Sequence, residues 1–146
     1  MNFKNIFKAL AVACIACLPF AIASCGDDEP EGPITYTYKW DFTNLSIDAA
    51  PNDSVQDSWI AARKSINNQI ATAYGQAGFQ VQATEKQFTI ELEPDVRIEP
   101  KDELVEETFL ALKRSNDFQT QAAKLPSDAG ILIKRDRKTV VERTLQ

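Results

Sequence analysis

The sequence predicts an α+β domain, an antiparallel sheet carrying two helices on one face, with one further strand at the C-terminus. Three observations carry this. Residues 34–42 alternate strictly between apolar and polar. Residues 55–73 carry apolar side chains at helical spacing. Two later stretches, 79–92 and 131–141, each read as paired short strands around a polar turn.

In the first strand, Ile34, Tyr36, Tyr38, Trp40 and Phe42 fall on one side, and Thr35, Thr37, Lys39 and Asp41 on the other. Alternation of this kind describes a sheet with one face covered and one solvated. The pattern is compatible with a continuation through Leu45 and Ile47 past a bend at Thr43-Asn44, with Pro51-Asn52-Asp53 ending it. Asp53 or Ser54 then caps a helix whose stripe is Val55, Trp59, Ala62, Ile66, Ile70 and Ala73, and Gly75 is its natural stop. Phe79, Val81 and Ala83 oppose Phe88, Ile90 and Leu92 in a hairpin that turns at Thr84 to Lys86. Pro100 suits a first helical turn. Asp102, Glu103, Glu106 and Glu107 early, and Lys113 and Arg114 late, match the dipole of a second helix buried through Val105, Phe109 and Leu112. Around Ser115-Asn116-Asp117 that stripe loses register: the helix either ends there or restarts with Asp117 as cap and runs through Phe118, Ala122 and Leu125. Pro126 and Gly130 mark a loop, and Ile131-Leu132-Ile133 with Thr139-Val140-Val141 form the last hairpin, tipped by Lys134 to Lys138.

The first six elements follow the order βαββαβ, which resembles the ferredoxin-like plait, with the extra strand following it. Element order alone does not fix strand order.

Ahead of this domain, which spans 34–146, Lys4 and Lys8 precede a mostly apolar run from Ala9 to Ile22, too short to span a bilayer comfortably, and the run closes on Ile22-Ala23-Ser24-Cys25. This resembles the lipobox of bacterial lipoproteins. The resemblance implies removal of residues 1–24, a diacylglyceryl group on the Cys25 thiol and acylation of the new amine, so that acyl chains on Cys25 hold the membrane. Residues 25–33 form an acidic tether with two prolines and no core-forming side chain, the composition of a disordered linker. Within it, Asp27, Asp28 and Glu29 resemble the export signal of Bacteroidetes-type surface lipoproteins, which implies an outer-membrane location facing outward; a periplasm-facing location is the alternative. Gly26, in place of aspartate behind the cysteine, argues against inner-membrane retention.

Loss of Lys4 and Lys8 lowers 16 Lys+Arg to 14 against 21 Asp+Glu, a formal −7. Such a surface repels phosphate backbones, which excludes nucleic acid as an expected partner. Cys14 and Cys17 leave with the signal, so no disulfide is expected and stability rests on the apolar core. With no histidine in the chain, serine-histidine and cysteine-histidine hydrolases are ruled out. With Cys25 acylated, the usual nitrogen and sulfur zinc sites have no ligands. The five glycines match no phosphate-loop spacing. No cofactor, no metal and no catalytic residue is expected.

Carboxylates are the only plentiful reactive groups. Glu91, Glu93, Asp95 and Glu99 could in principle build a paired-carboxylate glycosidase or a calcium site, although Glu91 and Glu93 read as the polar face of a strand and the Asp-Gly punctuation of calcium loops is missing. Tyr36, Tyr38 and Trp40 have the spacing of core; if exposed, they would form a stacking platform for sugar rings. Trp59 lies in the helical stripe and reads as core. Lys134, Arg135, Arg137 and Lys138 are the only dense positive patch and could meet an anionic glycan, a lipid head group or an acidic partner, while such a tip ordinarily serves as a soluble turn that blocks edge pairing.

The expected function is therefore a lipid-anchored, non-catalytic binding or interaction module at the cell envelope, with a glycan or an envelope protein as partner. The alternatives are a structural subunit or spacer of an outer-membrane assembly and, further off, a carboxylate-based glycan-active enzyme. Exposed aromatics would favour the ligand; buried aromatics beside an uncovered sheet edge would favour assembly.

Overall fold

A computed structural model of the chain describes residues 32–146, of which 33–146 form one compact unit. The signal segment, Cys25, and Asp27, Asp28 and Glu29 lie outside the described residues.

The sheet has five strands: β1 (Ile34–Thr43), β2 (Gln80–Gln82), β3 (Gln87–Leu92), β4 (Gly130–Arg135) and β5 (Lys138–Thr144). Their spatial order is β2-β3-β1-β4-β5, with every neighbouring pair antiparallel. This is the strand order of the ferredoxin-like plait, with β5 added outside β4. β1 is central, pairing Tyr38 with Phe88 on one side and with Arg135 on the other.

Three helices pack on this sheet: α1 (Asp53–Gln76), α2 (Glu99–Lys113) and α3 (Asn116–Ala122). The expected second helix is thus broken in two. Ser115 leaves helical geometry at ψ 146° and its hydroxyl accepts from Phe118 N at 3.3 Å, so it is Ser115, and not Asp117, that caps α3. The cap of α1 is likewise Asn52 in place of Asp53 or Ser54, its side chain accepting from Val55 N at 2.9 Å. β1 does not reach Leu45 or Ile47: Asn44 adopts a positive φ of 53° and Ile47–Ala49 form a 3-10 turn.

Helix α1 also outruns Gly75. It ends in a Schellman motif in which Phe79 N donates to Tyr74 O at 3.0 Å and Gly78 N to Gly75 O at 3.2 Å, with Gly78 at φ 97° in the left-handed position. The motif's apolar contact is the edge-on meeting of Tyr74 and Phe79, ring centres 5.8 Å apart. It follows that Tyr74, and not Ala73, completes the buried stripe of Ala62, Ile66 and Ile70.

The core lies between the helices and one sheet face. Phe88 is its centre, stacked on Tyr74 at 4.0 Å and on Tyr38 at 5.0 Å, with Phe79 edge-on to it. Offset and edge-on pairs of this kind add about 0.5–1.5 kcal/mol each beyond area burial. Trp40, Ile131, Ile133, Phe109 and Phe118 extend the core, and the polar ends of its rings are satisfied: Trp40 Nε1 donates to Asn67 Oδ1 at 3.0 Å and the Tyr74 hydroxyl to Val105 O at 2.8 Å. Among the described residues no helix is long and apolar enough to cross a membrane.

Candidate functional site

The register of β1 divides the candidate residues between the two faces of the sheet. Tyr38 and Trp40 face the helices and are 0% and 2% exposed; Tyr36 is half-buried beside them. A sugar ring has no access to the faces of Tyr38 or Trp40, so of the two readings these residues are core, and the alternative of a stacking platform on Tyr38 and Trp40 is set aside because α1 and α2 cover this face. Trp59, also read as core, is half-buried: it packs against the core while lining a surface groove with Leu45 and Pro126.

The basic tip divides in the same way. Arg135 and Lys138 are cross-strand partners whose side chains turn to the helix face. There they meet Asp102, the one buried charged residue among those described. Asp102 Oδ1 accepts from the Tyr38 hydroxyl at 2.7 Å and from Arg135 Nε at 3.0 Å; Oδ2 accepts from Arg135 Nη2 at 2.9 Å and from Lys138 Nζ at 3.0 Å. The Arg135 guanidinium also lies 5.8 Å from the centre of the Tyr36 ring, within cation–π range. Burial pushes the Asp102 carboxyl up, but the hydrogen bonds from Arg135, Tyr38 and Lys138, with the charge of Arg135, outweigh it and hold the group at about 2. Burial first, and then the bond to Asp102, pushes the Tyr38 phenol the other way, above its ordinary value.

This knot has the perturbed titration that often marks an active site. Its chemistry is nonetheless that of a clasp: four donors fill both carboxylate oxygens, and a carboxyl held at about 2 is a poor proton acceptor. It pins the first turn of α2 to the β4–β5 hairpin. The reading from sequence missed Asp102 as a buried residue, taking it for a dipole partner. The signal was there: Asp102 stands three and seven positions before Val105 and Phe109, on the stripe that buries them.

Lys134 goes the other way. It pairs directly with Lys39 across β1 and β4, and both project from the uncovered face, where Thr37 and Gln87 lie beside them. These residues line an open trough of about 830 Å³ whose walls also include Asp41, Glu85, Lys86 and Asp136. Lys86 is joined to Asp41 at 3.2 Å, whereas among the described residues neither Lys39 nor Lys134 has a carboxylate within ion-pair distance. Arg137, at the turn, is exposed.

The acidic candidates do not converge. Glu91 lies exposed on β3, Glu93 and Asp95 in the following turn and Glu99 at the start of α2, where Arg97 approaches it at 3.9 Å. Among the described residues no group of three acidic or other metal-ligating side chains is placed to hold an ion. Neither a protein-family model, nor a curated protein, nor a solved structure matches this chain.

Proposed function

We propose that the protein is a lipid-anchored cell-envelope binding module that works by surface recognition, without chemistry, and that its recognition surface is the uncovered face of the sheet. The observation that supports this reading is the trough on that face, with a directly opposed lysine pair that has no carboxylate within ion-pair distance among the described residues. Like charges placed directly opposite on adjacent strands destabilise a sheet, so their position is better accounted for by an external partner than by folding. The anchor belongs to the same proposal: acyl chains on Cys25 at the outer membrane, with Asp27, Asp28 and Glu29 directing the domain outward.

Two measurements test it. Cells expressing the wild type should incorporate labelled palmitate into the protein and lose that label in Cys25→Ser; label retained in the variant removes the anchor. Full-length protein in detergent, screened against glycans and envelope extract, should lose its ligand when Lys39 and Lys134 are both changed to glutamate. Binding that survives the double change removes the sheet face from the reading.

A second reading, a subunit docking to a neighbour, is favoured by a separate observation: Tyr38 and Trp40 are buried, and β5 is an edge strand with no further strand beside it among the described residues. Against it, the register shift between Ile133 and Lys134 puts an irregularity in the β4–β5 ladder, and Lys138, Glu142 and Arg143 charge the outer strand, devices that discourage edge pairing. A Glu142→Cys variant that cross-links to one envelope protein in situ would favour docking through β5.

A further inference from the structure

We infer that the trough on the open sheet face takes an acidic sugar residue, its carboxylate or sulfate held between Lys39 and Lys134 and its hydroxyls received by the polar groups around them. The inference rests on the reading of that face as the recognition surface and names the ligand class.

Three features of the trough point to this chemistry. The first is the lysine pair: two ammonium groups on directly opposed residues of β1 and β4, both exposed and neither with a carboxylate within 4.0 Å among the described residues, in a protein whose acidic residues outnumber its basic ones. An anion between them converts a repulsion into two charge-assisted hydrogen bonds. The second is the balance of the surroundings. Lys39, Lys86 and Lys134 face Asp41, Glu85 and Asp136 around one trough, so its lining is formally neutral. A neutral lining does not attract a long polyanion from a distance; it suits a ligand that carries a single charge where the lysines are and donors elsewhere. The third is that hydroxyl-matching groups surround the pair: Thr37 and Gln87 beside Lys39, and Glu85 and Asp136 as acceptors, while of the apolar residues at the trough, Leu132 and Trp40, the latter is only 2% exposed and offers no ring face. Recognition there runs through hydrogen bonds and charge, without ring stacking.

The test uses full-length protein in detergent and three probes of equal length: a neutral oligosaccharide ending in a single uronate residue, the same backbone carrying a single sulfate, and the uncharged oligosaccharide. At least one acidic probe should bind and the uncharged one should not, the two acidic arms distinguishing carboxylate from sulfate. Lys39→Gln with Lys134→Gln should weaken that binding about tenfold or more, the scale of losing a hydrogen bond to a charged group. Added salt should weaken it as well. Both lysines are exposed, so the double variant should melt no lower than the wild type, which separates lost binding from lost folding. A Thr37→Trp variant obstructs the trough without changing its charge. Uncharged sugar that binds, is blocked by Thr37→Trp and is indifferent to the double glutamine change would overturn the ligand class and leave the face standing. Probes that bind none of these proteins, or bind all of them alike, would overturn the ligand class and the face together.

Discussion

The two faces of the sheet treat the same kind of residue in opposite ways. Lys134 and Arg135 are neighbours in one basic run. Arg135 turns under the helices, where Asp102 on α2 accepts from both its Nε and its Nη2; Lys134 turns outward and stands against another lysine. The covered face spends its charges on internal cohesion and leaves nothing to offer. The open face keeps unpaired charge at its centre, at a small cost in stability. A positive patch read from sequence is therefore two different things, and strand parity decides which member belongs to which.

If that contrast holds, damage to the covered side should be severe. Asp102→Ala leaves Arg135, only 14% exposed at its side chain, without its counter-ion, and should cost about 3–5 kcal/mol in urea unfolding. Phe88→Ala, at the centre of the aromatic stack, should cost about as much. Lys138→Ala is the internal control: its side chain is 53% exposed, so its share of the knot should be at most about 1 kcal/mol. A loss for Asp102→Ala no larger than that for Lys138→Ala would erase the distinction between the faces.

Acid should test the same knot more gently. The folded-state pKa of Asp102 is depressed to about 2, from an ordinary 3.8, so the stability it contributes is present above the ordinary value and is lost as the pH falls through about 2. That loss amounts to something on the order of 2 kcal/mol between pH 5 and pH 2. In Asp102→Asn the part of the acid sensitivity due to this group should vanish, read as a flatter dependence of the urea midpoint on pH.

How much of this could be read in the chain depends on which interactions are local. The alternation in β1 and the stripe of α1 are local patterns, and they foretold both elements and the covered face, while the order of the strands in the sheet stayed open. The caps went astray by a residue or two because Asn52, Asp53 and Ser54 are all competent caps, and only the closing hydrogen bond to Val55 N selects among them. Gly75 looked like a stop, yet the motif that ends α1 needs Phe79 to return to Tyr74, a contact set by the tertiary packing of β2. The knot and the lysine pair were out of reach for a stronger reason. Asp102 meets Arg135 across 33 positions, and Lys39 meets Lys134 only because β4 lies beside β1, a choice that element order leaves open. The basic residues were visible; their division between two faces required the register.

One place on the open side is as tightly built as the core. Gly130 sits on β4 between Thr43 and Thr144, and a Cβ there would come within 2.6 Å of Thr43 Oγ1 and 2.8 Å of the Arg143 carbonyl oxygen. The threonine can rotate away, but the backbone oxygen cannot. Gly130→Ala should therefore cost about 1–3 kcal/mol, the usual penalty for forcing a methyl group into filled space, with the sheet otherwise intact. A neutral result would show that β4 and β5 can part at this end, and the open face would be looser throughout than its register implies.

The smallest expected effect bears most directly on what the open face is for. Lys134→Glu places a carboxylate directly opposite Lys39, turning a like-charge cross-strand pair into an opposite-charge pair. Pairs of the latter kind contribute roughly 0.2–1 kcal/mol, so this surface change should raise the urea midpoint, an outcome few substitutions achieve. The gain should shrink in high salt, because both side chains are exposed and screening acts on them fully. The same variant should lose the acidic ligand. Stability gained while binding is lost is the signature of a position kept for recognition; if Lys134→Glu melts lower than the wild type, the lysine pair is supporting the sheet and the contrast between the two faces disappears.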